Sequence, residues 1–192
     1  MTNNQIQLII LFLYIVTRFL GLFYFAPHND EAIYTQYAQL IASDWEKYKF
    51  ISMDATMFVD YKEPLQFWLT SLTVNLWKNP LLGVRIWSLM LGFFGLVFTQ
   101  LLVKRIWGNT VAIIVGFLIV ISEYYFYFDS IGLTEVYIYG FGAALLYFLY
   151  EFFNSNNWRN GVIAILLFSA MLITKQSGMV WILFAGLIPL VV

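Results

Sequence analysis

Hydrophobic residues run in long blocks along this chain, and the blocks set its first outline. Residues 6–25 form an apolar stretch interrupted by one charge, Arg18. About 20 such residues in a helix cross the roughly 30 Å hydrocarbon core of a bilayer. Comparable stretches follow at 84–103, 110–128, 135–153, 160–175 and from 176 to the end. The pattern predicts an all-α membrane protein, a polytopic transmembrane helix bundle of about six spans. The fifth stretch is the shortest, and Lys175 at its end is placed to snorkel toward water. The first lacks a basic leader and a small-residue cleavage site, which makes it an anchoring helix and not a removed signal. Gly92, Gly95, Gly140 and Gly142 fall inside spans, where small residues let helices approach closely.

Two weaker patterns lie between the first and second spans. Pro27 breaks the chain, and residues 30–43 read as an amphipathic helix with Tyr34, Tyr37, Ala38 and Ile41 toward the membrane. Residues 64–77 are apolar but diluted by Gln66, Thr70, Ser71, Thr73 and Asn75, which predicts a helix lying at the membrane surface. Cytoplasmic loops collect Lys and Arg, and Lys104-Arg105 is the only adjacent basic pair, with Arg159 in another short loop. Residues 26–63 carry seven acids against three lysines. A cytoplasmic N-terminus, with 64–77 not crossing, puts both basic loops inside. It makes 26–83 an extracytoplasmic loop with juxtamembrane helices. A crossing at 64–77 would reverse this, so the charge bias favours the first arrangement.

Composition excludes the alternatives to a membrane protein. Hydrophobic residues make up 61% and charged residues 11%, with mean hydropathy +0.77, against roughly 45–50% and about 25% in soluble domains. So few charges cannot cover a surface in water. The net charge of −1 offers no basic field for nucleic acid. The absence of cysteine removes disulfides, thiolate metal sites and cysteine nucleophiles, and a lone His28 cannot make a multi-histidine metal site. Aromatic residues, at 20%, suit both membrane interfaces and sugar stacking.

Under the favoured arrangement the chemistry gathers on one face. Asp30, Glu31, Lys62, Glu63, Arg85, Asp129, Glu135 and Lys175 all fall on the outer side or within a turn of it. Ionisable groups near membrane depth are expensive unless paired or hydrated, so the cluster marks a candidate functional site. Each member also has a plainer reading. Asp30-Glu31 opens a helix, where acids cap well, or supplies a general base or metal-binding acid. Lys62 and Lys175 snorkel, or hold a lipid-linked phosphate at headgroup level together with Arg85. Arg85 equally suits a carboxylate partner in the bundle. Asp129 and Glu135 bracket the turn 130–134, as caps or as substrate contacts. Glu123 is expected to pair with Arg18 or Arg85.

In order along the chain, these elements resemble the GT-C superfamily of integral membrane glycosyltransferases. The likeness is to the branch of protein O-mannosyltransferases and aminoarabinose-lipid A transferases. It rests on Asp30-Glu31-x-x-Tyr34 after the first span, then Tyr61-Lys62-Glu63-Pro64-Leu65-x-x-Trp68. Gly83-Val84-Arg85, Gly132-x-Thr134-Glu135 and Thr174-Lys175-x-x-Gly178 follow. Glu63 stands where that family usually has Pro or Lys, and Asp129 where relatives often carry a basic residue.

The resemblance implies inverting transfer of a sugar from a polyprenyl-phosphate donor to a protein, lipid or glycan acceptor. It implies the extracytoplasmic face of the plasma membrane, as part of cell-envelope chemistry. Asp30 would be the base or metal-binding acid, with Glu31 beside it as a second catalytic carboxylate. Lys62, Arg85 and Lys175 would bind the donor phosphate. Tyr34, Glu63, Asp129 and Glu135 would orient substrate, and a divalent cation (Mg, Mn or Zn) would have Asp30 as its ligand. A flippase for a lipid-linked sugar would also gather phosphate-binding cations, but near the bilayer midplane and within repeats. A non-catalytic assembly protein, docking a partner on its outer loop, is the third reading. The chain ends at Val192 inside a charge-free run. It is therefore expected to be the N-terminal part of a longer transmembrane module, completed by a missing C-terminal part and inactive alone.

Overall fold

The computed structural model describes residues 2–50 and 63–192, and every regular element in them is helical. The helices are Asn3–Tyr24 (α1), Asn29–Ser43 (α2), Trp45–Tyr48 (α3), Leu65–Ser71 (α4) and Pro80–Trp107 (α5). They continue with Asn109–Ile121 (α6), Glu123–Ser130 (α7), Glu135–Ser155 (α8), Trp158–Thr174 (α9) and Trp181–Ala185 (α10). Short 3₁₀ turns flank α10 at Gln176–Val180 and Ile188–Leu190. The donor-binding expectation for Lys62 lies outside the described residues, as does Tyr61.

Three helices, α1, α5 and α8, are long and apolar enough to cross a membrane, and α6 with α7 makes a fourth if that bent pair is one span. By length and composition the described residues thus show three or four candidate spans, where the sequence pattern suggests about six. At 17 residues α9 is about 26 Å long, at the lower limit for a crossing. The stretch after Lys175 breaks into turns and one short helix. The uninterrupted span expected over 110–128 is bent by 65°. Ser122 takes an extended conformation (φ −68°, ψ 123°), which ends the α6 hydrogen-bond ladder before α7 begins.

Residues 64–77 contain one short helix. The helix within them, α4, has seven residues and extends only about 10 Å, too short to cross. Thr73 then folds back onto α5, donating its hydroxyl to the Gly83 carbonyl at 2.6 Å and accepting the Trp87 indole N–H at 2.9 Å. The apolar side of α2 faces protein and not the membrane, which corrects the expectation for Tyr34, Tyr37, Ala38 and Ile41. Phe67 of α4 stacks edge-on against Tyr34 and Tyr37, at centroid distances of 5.4 and 5.3 Å. Ala38 packs with Val74 and Val84.

The bundle itself is α5 against α8, α8 against α9, and α1 against α5, α6 and α7. Gly140 makes the α5–α8 approach possible, because a Cβ there would lie 2.6 Å from the Leu91 carbonyl oxygen. Outward positions are apolar too, among them Leu8, Phe12 and Leu20 of α1, Ile114 and Leu118 of α6, and Ile165 and Leu166 of α9. Such a surface is at home in lipid and not in water.

Candidate active site

The site begins where α1 stops. Pro27 ends the first helix's run, and His28 caps α2, accepting the Asp30 N–H on Nδ1 at 3.2 Å. Successive helical residues point about 100° apart, so the two acids of the motif part company. Asp30 is exposed, and its carboxylate has no hydrogen-bond or ion-pair partner among the described residues. Glu31 turns inward and is fully buried.

Glu31 is saturated with donors. It accepts Arg85 Nε at 2.6 Å and Nη2 at 2.8 Å, the Gly132 N–H at 2.8 Å and the His28 N–H at 3.3 Å. Arg85 Nη1 donates to the carbonyls of Leu22 at 2.6 Å and Phe25 at 3.1 Å. The end of α1, the start of α2, the start of α5 and the turn before α8 thus meet at one ion pair. Gly132 permits it, since a Cβ there would lie 2.5 Å from Val84 and 3.2 Å from Glu31. Of the two readings the sequence offers for Arg85, phosphate ligand or partner of a carboxylate, the structure shows the carboxylate contact. Glu31 likewise holds the frame and offers no free oxygen to a substrate.

The remaining groups line an open polar cavity of about 180 Å³ above this frame. Asp30, Tyr34, Glu63, Thr134, Glu135 and Lys175 form its wall. Lys175 reaches Glu135 at 2.7 Å. They meet because α8 and α9 are packed neighbours joined by a short turn, which brings the start of one beside the end of the other. Glu63 is anchored as well, accepting the Gln176 N–H at 3.2 Å. Five of the residues singled out in the sequence, Asp30, Tyr34, Glu63, Glu135 and Lys175, therefore share one cavity.

A second cavity of about 520 Å³ adjoins the first, walled largely by apolar and aromatic side chains such as Tyr125, Phe128, Val136, Tyr139 and Trp181. Glu135 and Lys175 line both cavities. Asp129 belongs to the larger one only. It accepts the Tyr14 hydroxyl at 2.7 Å, and Arg18 Nε lies 3.7 Å away. Arg18 in turn donates to the carbonyls of Val120 at 2.6 Å and Ile119 at 2.9 Å, which the bend leaves outside the α6 ladder. The expected pairing of Glu123 is not realised: it is exposed at the start of α7, while Arg18 and Arg85 sit against Asp129 and Glu31.

Sequence reasoning passed over Tyr14 and over Thr134 and Thr174 as cavity walls. The signal for Tyr14 was its spacing of one helical turn from the lone arginine of an apolar span. As for a cation, no three His, Asp or Glu residues among those described converge closely enough to hold one. Glu31, the neighbour that would best assist Asp30, is committed to Arg85.

A family model described as dolichyl-phosphate-mannose-protein mannosyltransferase matches residues 61–192. The matched stretch includes Glu63, Arg85, Asp129, Glu135 and Lys175, while Asp30 and Glu31 precede it. No curated protein and no solved structure matches the chain.

Proposed function

The chain belongs to the family of dolichyl-phosphate-mannose-protein mannosyltransferases, and from that premise we propose how its own residues carry out transfer. It is a membrane glycosyltransferase module whose donor is a polyprenyl-phosphate-linked sugar and whose acceptor arrives from the extracytoplasmic side. The observation that carries this reading is the meeting of two cavities at one charged wall. The polar cavity is lined by both Asp30, a carboxylate unpaired among the described residues, and the cation Lys175. The larger apolar cavity beside it suits an isoprenoid chain.

In this reading the sugar lies in the polar cavity with its phosphate toward Lys175. The acceptor hydroxyl attacks the anomeric carbon from the face opposite the phosphate, which inverts the configuration. Asp30 takes the hydroxyl proton as the new C–O bond forms. The bond from the anomeric carbon to the phosphate oxygen breaks with both electrons going to that oxygen. Lys175 stabilises the charge that develops there. Tyr34, Glu63 and Glu135 border the sugar and fix its orientation, and Asp129 shapes the wall of the lipid cavity. Glu31 and Arg85 act through Asp30 by fixing the start of α2.

Asp30→Asn in the complete protein tests the assignment, with membranes supplied with radiolabelled polyprenyl-phosphate mannose. Transfer is expected to fall by about 10²-fold or more, the range of a lost general base, while donor binding persists. Unchanged transfer would remove Asp30 from the chemistry.

A further inference from the structure

The site contains two carboxylate–cation pairs built to opposite specifications. Glu31 and Arg85 meet through two contacts with side chains only 0% and 4% exposed. Glu135 and Lys175 meet through one contact of 2.7 Å with side chains 37% and 41% exposed. Among the described residues, the second carboxylate oxygen of Glu135 reaches only the Thr134 hydroxyl, at 3.4 Å. An open, single-point pair of this kind is weak and easily exchanged. It also sits where the apolar and the polar cavity share a wall. A lipid chain in one cavity and a sugar in the other would put the phosphate between them at this pair.

We propose that Glu135 is an exchangeable stand-in for the donor phosphate. It holds Lys175 when no lipid is bound, yields the cation to the incoming phosphate, and takes it back as the product lipid phosphate leaves. The inference rests on the polyprenyl-phosphate reading above and deepens it.

Charge gives the exchange a purpose. A sugar phosphodiester carries one negative charge, whereas the monoester left after transfer carries about −1.5 to −2 near neutral pH. Lys175 alone would therefore hold the product more tightly than the donor. A carboxylate 2.7 Å from the ammonium competes for it and hastens departure. No covalent step is involved: one anion replaces another on the same cation.

The test is binding of undecaprenyl phosphate to the complete protein in nanodiscs, with undecaprenol as the uncharged control. Thermal unfolding is measured on each variant to confirm folding. Glu135→Gln is expected to tighten undecaprenyl phosphate and Lys175→Gln to weaken it, each by roughly tenfold, the scale of one charge-assisted contact. Undecaprenol should bind alike in all three proteins. In turnover, Glu135→Gln should lower KM and kcat together, because the product lingers. A pair with a merely structural role would shift both variants in the same direction. That result, or an unchanged affinity in Glu135→Gln, overturns the exchange. Failure of the unsubstituted protein to bind undecaprenyl phosphate, with undecaprenol bound normally, overturns the donor reading itself and the exchange with it.

Discussion

Arg85 grips Glu31 with two parallel contacts, Nε to Oε1 at 2.6 Å and Nη2 to Oε2 at 2.8 Å, at a point closed to solvent. The two residues come from helices far apart in sequence, and their junction also collects the carbonyls of Leu22 and Phe25 and the Gly132 N–H. The pair is thus the keystone between the membrane helices α1 and α5 and the surface helix α2. Removing one partner leaves a buried charge without compensation, which typically costs about 3–5 kcal/mol. Glu31→Ala and Arg85→Ala should each lower stability by about that amount in thermal or denaturant unfolding. The double replacement Glu31→Leu with Arg85→Met should be milder than either single change. Additive losses in the double variant would contradict the keystone role.

The adjacent acids Asp30 and Glu31 should separate chemistry from folding. Asp30 is exposed and unpaired among the described residues, so Asp30→Asn should change stability by less than about 0.5 kcal/mol. Its transfer activity should nonetheless collapse. Glu31→Gln should lose both, because a neutral amide cannot match the bidentate guanidinium. Parallel melting and transfer assays decide this, and a destabilised Asp30→Asn protein would count against it.

Local pattern made much of this architecture legible. The helix read over 30–43 is Asn29–Ser43, and the stretches 6–25 and 84–103 lie within or close to Asn3–Tyr24 and Pro80–Trp107. Caps, breakers and periodic apolar positions are properties of neighbouring residues, so the sequence displays them. The bend at Ser122 was hidden because 110–128 contains no proline and its one glycine, Gly116, lies inside α6. What stabilises the bend is Arg18, a hundred residues away, reaching the carbonyls it frees. The same limit applied to charge partners. Charge bias placed Asp30, Glu63, Glu135 and Lys175 on one face, and they line one cavity together with Tyr34. It had no means of showing that Arg85 would choose Glu31, or that Asp129 would pair with Tyr14 and Arg18.

That long reach makes Arg18 testable. Arg18→Lys keeps the charge but loses the planar fork that serves two carbonyls at once. A destabilisation of about 1–3 kcal/mol is expected, the cost of leaving a buried polar group unsatisfied. Arg18→Met should cost more, since Asp129 then lacks its nearby cation. Adding Asp129→Asn to Arg18→Met should recover part of the loss, giving a coupling of about 0.5–3 kcal/mol in a double-mutant cycle. Zero coupling would mean that the 3.7 Å approach is incidental.

Gly140 tests the α5–α8 contact. A Cβ there meets the Leu91 backbone carbonyl at 2.6 Å, and a backbone atom in a packed helix cannot step aside cheaply. Gly140→Ala should therefore destabilise by about 1–3 kcal/mol, the usual cost of overpacking. At Gly186 the nearest atoms are 3.5 Å away, in ordinary contact. Gly186→Ala should be neutral within about 0.5 kcal/mol or slightly favourable, because alanine is the better helix former. Equal effects at the two positions would show that the helices are not held at this separation.

The sidedness of the site has a direct measurement, because the chain contains no cysteine. Single cysteines at positions 29 and 176 would stand at the exposed rim of the polar cavity, beside Asp30 and Lys175. Cysteines at 104 and 159 would stand in the basic ends of α5 and α9, also exposed. The helix α5 runs 28 residues, about 42 Å, from Pro80 to Trp107, which is longer than the hydrocarbon core. A crossing by α5 puts its two ends on opposite sides of the bilayer. In intact cells an impermeant thiol reagent should label 29 and 176, while 104 and 159 react only after the membrane is opened. The opposite pattern would place Asp30 and Lys175 in the cytoplasm and reverse the proposed direction of acceptor access. Labelling at all four positions in intact cells would mean that α5 does not span.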